Sequence, residues 1–127
     1  MRPSPYDVRL PDSKESIADK DIYTVVQPDI SVICDLDKID RRGCIGPPDW
    51  VIEILLPGNS KTEMGFKFDL YEENGVREYW IVQPEHENVL VFALQEGRFQ
   101  LVKMYAGDDT VPSVVFPELV IELRDVF

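Results

Sequence analysis

One acidic residue interrupts the most apolar segment of the sequence. The residues from Asp49 to Leu56 read Asp-Trp-Val-Ile-Glu-Ile-Leu-Leu, and Glu53 is the only charged residue after the first. A continuous apolar run of this length is typical of a strand that is covered on both faces of a sheet. The segment therefore predicts a central strand. Glu53 within it must find donors or a cation, or shift its pKa, because burial disfavours the charged carboxylate.

Size and charge limit the classes of protein that this chain can represent. It has 127 residues, of which 44% are hydrophobic and 29% are charged, as expected for one compact domain. The 24 acidic residues against 13 lysines and arginines leave a net charge of −11. Such a charge repels nucleic-acid phosphates at long range, which excludes a broadly basic, histone-like binder.

Neither a membrane span nor a secretory signal is expected. No apolar stretch approaches the roughly 18 residues that a spanning helix needs, and the sequence from Met1 to Lys20 has no hydrophobic run. We therefore expect a cytoplasmic protein. Cys34 and Cys44 are the only cysteines. Two cysteines cannot form a disulfide scaffold or a four-cysteine zinc site, so reduced thiols are expected.

The order of the remaining segments predicts an α/β domain. Residues 1–25 are expected to be a loosely ordered lead-in, and an alternating pattern over 25–34 predicts a strand with Asp29 at its start. Ser60 and Glu63 form a capping box that opens a helix through about Asn74, and Gly75 is expected to cap its end. The apolar stripe of this helix should pack on the sheet; it consists of Met64, Phe68 and Tyr71, with Leu70 beside it.

Several short strands are expected after the helix. A strand is predicted over 78–83, where Tyr79 and Trp80 are interpreted as core residues, and a hairpin over 88–105. The final segment, 111–127, is predicted to form short edge segments. The single histidine, His86, lies in a polar turn, where a catalytic or ligand role is not favoured.

Three residues could carry chemistry in this arrangement. Asp29 at the head of one strand and Glu53 within another are carboxylates that a Mg²⁺ or Mn²⁺ ion could bind, which suits phosphodiester hydrolysis. Lys67 on the following helix could orient water or stabilise charge on phosphorus. Glu63, four residues before Lys67, would share its helix face and support it. If the two carboxylates face each other in a partly dry cleft, at least one pKa of the pair should be raised.

A purely structural interpretation of the same residues is also open. Glu53 could be paired with an arginine such as Arg77, which would lower the pKa of its carboxyl instead of raising it. Asp29 could be an ordinary residue at the start of a strand, and Lys67 an ordinary solvated helix residue.

A series of motifs in one order resembles the Uma2 family of restriction-endonuclease-like proteins, from about Tyr6 to the end of the chain. The motifs are Gln27-Pro-Asp-Ile-Ser-Val-Ile-Cys-Asp35, Gly46-Pro-Pro-Asp-Trp-Val-Ile-Glu-Ile-Leu-Leu56, Ser60-Lys61, Lys67-Phe-Asp-Leu-Tyr71, Gly75-Val-Arg-Glu-Tyr-Trp-Ile-Val82 and Val115-Phe-Pro-Glu-Leu119. The resemblance implies a single domain over 1–127 with the PD-(D/E)XK nuclease fold, a mixed central sheet flanked by helices. It also implies a metal-dependent endonuclease that acts on DNA.

The resemblance assigns roles to individual residues. Asp29 and Glu53 stand for the acidic metal ligands of the motif, and Leu55 occupies the place of the lysine in the parent superfamily. That lysine is replaced in the family by one on the next helix, here Lys67, and Glu63 stands where the family usually has an aspartate. The three catalytic residues implied are therefore Asp29, Glu53 and Lys67, with Glu63 in support.

The family normally has about sixty further residues at its N-terminus, with a helix that covers part of the sheet. We expect a chain without that segment to self-associate as a homodimer through unprotected apolar surface. The alternative to a working nuclease is a catalytically silent, truncated relative that acts as a binding or dimerisation module.

Overall fold

The computed structural model describes residues 2–3, 8–11, 23–26, 28–33, 39–40, 43–56, 58 and 61–127. One α-helix lies in this part of the chain, α1 at Lys61–Glu73, together with short 3-10 turns at Pro84–His86 and Leu123–Asp125. The strands are β1 Arg2–Pro3, β2 Val8–Pro11, β3 Tyr23–Val26, β4 Ile30–Val32, β5 Ile39–Asp40, β6 Gly43–Ile45, β7 Trp50–Ile54, β8 Glu78–Gln83, β9 Asn88–Gln95, β10 Arg98–Ala106, β11 Thr110–Pro112 and β12 Val120–Glu122.

A mixed six-stranded sheet forms the centre of the fold. Its strand order is β1-β4-β7-β8-β9-β10. The pair β7–β8 is parallel, because α1 connects the two strands, and the other neighbours are antiparallel. This confirms an α/β domain with a mixed central sheet, and it confirms that the segment with Glu53 is a central strand. Four of the first six strands form a second sheet, in the order β3-β2-β6-β5.

Parts of the predicted lead-in are extended. Within residues 1–25 the structure has β1, β2 and most of β3, and the rest of that range lies outside the described residues. Cys34 and Ser60 also lie outside them, so the capping box at the start of α1 has no structural counterpart to describe.

The end of α1 is set by Gly75, as its sequence predicts. The N–H of Val76 donates to the carbonyl of Tyr71, and the N–H of Gly75 donates to that of Glu72. These two bonds form a Schellman motif, which requires a left-handed residue at the position of Gly75. Its φ is +81°, which glycine adopts without steric cost.

Two apolar cores cover the two faces of the sheet, because successive side chains of a strand point to opposite faces. On the helix side, Val51 of β7 and Tyr79 of β8 pack with the buried face of α1. The predicted packing stripe is confirmed in Leu70, Tyr71 and Phe68. On the other side, the rings of Trp50 and Trp80 pack with centroids 4.8 Å apart and planes tilted by 56°, which confirms the core position of Trp80.

The C-terminal segment forms short strands, as predicted, and they make a separate two-stranded sheet. β11 and β12 pair with each other and not with the edge of the central sheet. Val111 and Leu123 of this segment pack against Trp50 and Trp80, so the segment covers a face of the sheet. The short apolar runs at 114–116 and 119–123 contain no information about which surface they pack against, so the sequence did not predict that this segment covers the sheet.

Candidate active site

The pairing of β4 with β7 places two carboxylates opposite each other. The antiparallel register joins Ile30 to Ile52, so the preceding residue, Asp29, lies opposite Glu53. The backbone N–H of Asp29 donates to Oε1 of Glu53 at 3.2 Å, and the N–H of Ile54 donates to Oδ2 of Asp29 at 2.6 Å. The structure therefore brings together the two acidic residues that the sequence singled out.

Glu53 is the buried member of the pair, with 2% of its surface exposed. It lies on the helix side of β7, and its Oε2 atom accepts two further contacts from α1. Lys67 Nζ is 3.1 Å from this oxygen, and the hydroxyl of Tyr71 donates to it at 2.9 Å. The carboxylate thus has donors from the strand beside it and from the helix above it.

The pKa of Glu53 is raised above its usual value of 4.5. The largest cause is burial, which disfavours the charged form. The charge and hydrogen bond of Lys67, and the hydrogen bonds from Tyr71 and Asp29, oppose this effect without cancelling it. The expectation that one pKa of the acidic pair is raised is confirmed in direction.

Lys67 is held at the site by its position on α1. Its side chain is 17% exposed, so the ammonium lies at the border between Glu53 and solvent. From this position a cation can contact both a buried carboxylate and a group that arrives from solvent. Glu63 precedes Lys67 on the helix by four residues, but its side chain lies outside the described residues.

Arg77, the alternative partner considered for Glu53, pairs with Asp49 instead. Arg77 Nη1 lies 3.4 Å from Oδ1 of Asp49, and its side chain is largely exposed. The parallel register joins Trp50 to Glu78, which places the residues just before them, Asp49 and Arg77, side by side. Glu53 lies four residues further along β7 and is therefore out of reach of this arginine. His86 is exposed in its 3-10 turn.

Tyr71 is a site residue that the sequence analysis did not identify. Its spacing on α1 predicted a packing residue, and its ring does pack in the helix-side core. Burial, together with the charge of Glu53, raises the pKa of the Tyr71 phenol well above its usual value, so the hydroxyl keeps its proton. A helical stripe of apolar residues indicates which face of the helix is buried, but it does not indicate which group a tyrosine hydroxyl on that face will contact. The spacing Lys67 to Tyr71, one helical turn, was the available signal.

The described residues contain no group of three or more His, Cys, Asp and Glu side chains that could hold a metal ion. Asp29 and Glu53 are a pair of carboxylates on neighbouring strands. Mg²⁺ is bound in proteins by one or two carboxylates and keeps several water ligands, so a pair is a sufficient protein contribution.

The chain is similar to known proteins over most of its length. The family model of Uma2, described as a putative restriction endonuclease, matches residues 13–124. A solved structure of a putative nuclease belonging to DUF820 from Anabaena variabilis is 28% identical to the chain, with a TM-score of 0.64. The match covers 81% of this chain and 60% of that one, so the chain spans less than two thirds of the length of this structure. A search of curated proteins found no match.

No helix in the described part of the chain has both the length and the apolar character that crossing a membrane requires. The family match extends over most of the sequence and includes Asp29, Glu53 and Lys67. The chain belongs to the Uma2 family of putative restriction endonucleases.

Proposed function

We propose that this protein is a metal-dependent endonuclease that hydrolyses phosphodiester bonds of DNA. The observation that carries the proposal is the convergence of Asp29, Glu53 and Lys67 at one point on the helix side of the sheet. The Asp29 N–H and the Lys67 ammonium both contact the Glu53 carboxylate, at 3.2 and 3.1 Å. Two carboxylates that can hold a divalent metal, with a cation beside them, suit phosphodiester hydrolysis.

The residues present fit a Mg²⁺ or Mn²⁺ ion. Asp29 and Glu53 would hold it, since they lie opposite each other on adjacent strands and each carboxylate accepts a backbone N–H of the other strand. The second carboxylate oxygen of Asp29 accepts no hydrogen bond from the part of the chain that the structure describes. When bound, such an ion supplies Lewis-acid polarisation of a phosphoryl oxygen and activation of water.

Lys67 is assigned the role of a positioning and charge-stabilising cation. A lysine at this border can hold the attacking water, whose oxygen forms the new bond to phosphorus while the bond from phosphorus to the leaving sugar oxygen breaks. It can also stabilise the negative charge that develops on the phosphoryl oxygens. The strong negative charge of the whole chain makes such local compensation necessary for contact with DNA.

Calorimetric titration with Mg²⁺ or Mn²⁺ tests the metal site directly. We expect heat of binding with the wild type and its loss in Glu53→Ala. Glu85→Ala, at an exposed residue of a 3-10 turn, is the matched control and should bind as the wild type does. Equal heats for the wild type and Glu53→Ala would remove Glu53 from the site.

Nicking of a supercoiled plasmid tests the activity. Cleavage should require Mg²⁺ or Mn²⁺, stop with a chelator and disappear in Lys67→Ala. Lys103→Ala removes an exposed lysine of β10 and should cleave at the wild-type rate. Cleavage that survives in Lys67→Ala would contradict the role assigned to this lysine.

A binding or dimerisation module is the second candidate, favoured by the outer strand of the sheet. β10 is the last strand in the order, and its Leu101, Val102 and Met104 side chains are about half exposed. Exposed apolar groups on a sheet edge promote pairing with another chain. We therefore propose that the chain forms a homodimer. Sedimentation equilibrium that gives a monomer at a concentration of tens of micromolar would contradict this, and a reductant should leave the result unchanged.

A further inference from the structure

Tyr71 and Lys67 reach the same carboxylate oxygen from the same helix. Oε2 of Glu53 lies 2.9 Å from the Tyr71 hydroxyl and 3.1 Å from Lys67 Nζ. The two residues are four positions apart on α1 and therefore share a helix face. Oε1 is bound separately by the N–H of Asp29. The carboxylate thus has one donor from the backbone and two donors from side chains.

The two side-chain donors differ in burial. Tyr71 is fully buried, and its ring packs edge-on against Tyr79 with centroids 5.3 Å apart. A ring in a close-packed core stays in one position on average. Lys67 carries its ammonium on a flexible four-carbon chain and is partly exposed. We therefore expect the contact from Tyr71 to persist and the contact from Lys67 to be the one that can be exchanged for a group from solvent.

We propose that Tyr71 is a positioning residue that holds the Glu53 carboxylate in its orientation toward Asp29 independently of Lys67. This inference rests on the proposed function, in which Lys67 must turn toward water or a phosphoryl oxygen. Without Tyr71, the movement of Lys67 would leave Oε2 of Glu53 buried and without a donor from the described residues. The free-energy cost of such an unsatisfied oxygen would oppose the movement. With Tyr71, Glu53 keeps its orientation while Lys67 moves. Hydrogen bonds of this kind commonly orient the carboxylates that bind metals.

The neighbouring Tyr79 provides a matched control. It is fully buried and belongs to the same core cluster as Tyr71. Its hydroxyl makes no hydrogen bond with the described part of the chain. Tyr71→Phe and Tyr79→Phe therefore remove the same atom from two packed rings, and only the first removes a contact with Glu53.

Calorimetry with Mg²⁺ alone and with Mn²⁺ alone gives the first measurement. We expect Tyr71→Phe to bind the ion about 10-fold more weakly than the wild type or worse, and Tyr79→Phe to match the wild type. Lys67→Ala should retain at least the wild-type affinity, because it removes a competing cation while Tyr71 still orients Glu53. Equal affinities in Tyr71→Phe and Tyr79→Phe would overturn the inference.

A metal-free measurement separates this inference from the proposed function. The carboxyl-carbon NMR signal of Glu53 should titrate at a higher pH in Tyr71→Phe, because a donor to the ionised form is lost. It should be unchanged in Tyr79→Phe. If the wild type binds no metal but this difference is present, the proposed function fails and the positioning role stands. If the two variants titrate alike, the positioning role fails whatever the metal does.

Discussion

Asp29 and Glu53 each bind the backbone of the strand that carries the other. The N–H of Asp29 donates to Glu53 Oε1, and the N–H of Ile54, next to Glu53, donates to Asp29 Oδ2. This exchange depends on the register between β4 and β7. A shift of one residue would turn one of the carboxylates to the opposite face of the sheet. The relative position of the two carboxylates therefore depends on the register between β4 and β7.

The raised pKa of Glu53 predicts how stability depends on pH in the metal-free protein. Above pH 4.5 the unfolded chain releases the proton of Glu53, whereas the folded protein retains it until its own, higher pKa is reached. The folded state binds more protons in that window, so the free energy of unfolding contributed by Glu53 falls as pH rises and then levels off. Glu53→Gln should lack this component.

Urea unfolding with a chelator from pH 4.5 to 8 measures this component. The stability of Glu53→Gln relative to the wild type should increase with pH across the window and then become constant. Glu85→Gln, at an exposed position, should show no such trend. A pH-independent difference for Glu53→Gln would mean that the folded and unfolded pKa values are equal.

Metal binding should couple to the same proton. A divalent cation stabilises the ionised carboxylates, so the affinity should weaken as pH falls through the raised pKa, and binding should release protons. Calorimetry in two buffers with different heats of ionisation counts the protons released. Proton release should be smaller in Glu53→Gln, and an equal count in both proteins would contradict the involvement of Glu53.

Glu78 should be the most costly carboxylate to replace outside the site. It is fully buried on the side of the sheet opposite Glu53 and accepts hydrogen bonds from Trp80 Nε1, Ser113 Oγ and the N–H groups of Val114 and Val115. Glu78→Ala leaves the buried donors of Trp80 and Ser113, and two partly buried backbone N–H groups, without this acceptor. We expect a loss of about 3 kcal/mol or more. Glu85→Ala should change the free energy of unfolding by about 0.5 kcal/mol or less.

Thermal unfolding followed by near-UV circular dichroism measures the change, since Trp80 reports the contact directly. Ser113→Ala removes one of the donors to Glu78 and should cost about 1 kcal/mol. If Glu78→Ala were as stable as the wild type, this result would contradict the prediction that the Glu78 carboxylate anchors the C-terminal segment.

Two glycines of the helix region should respond to alanine in opposite directions. Gly75 has a φ of +81° at the end of α1, where alanine costs about 1 kcal/mol or more because of its Cβ. Gly65 lies within the helix, and a Cβ there meets nothing within 4 Å. Gly65→Ala should stabilise the protein by about 0.5–1 kcal/mol. Chemical denaturation of both variants checks this, and a shift of the same sign for both would contradict it.

Local patterns in the sequence determined the main elements and the candidate acidic pair. The apolar run around Glu53 indicated a strand covered on both faces, and the apolar stripe and Gly75 indicated the course and end of α1. These features depend on contacts within a few residues, where periodicity and turn chemistry act directly. Glu53 is conspicuous in the sequence alone, because a lone carboxylate in an apolar strand is costly to bury.

Tertiary structure alone decided which polar groups meet. The sequence offered Arg77 as a partner of Glu53, but the parallel register of β7 and β8 places Arg77 beside Asp49. The packing of α1 on the sheet brings the hydroxyl of Tyr71 to Glu53 instead. The C-terminal segment covers a sheet face because Glu78 binds its backbone, which no local pattern encodes. Such contacts join residues 18 to 37 positions apart. Their geometry is set by strand register and helix packing, which emerge only when the whole chain is folded.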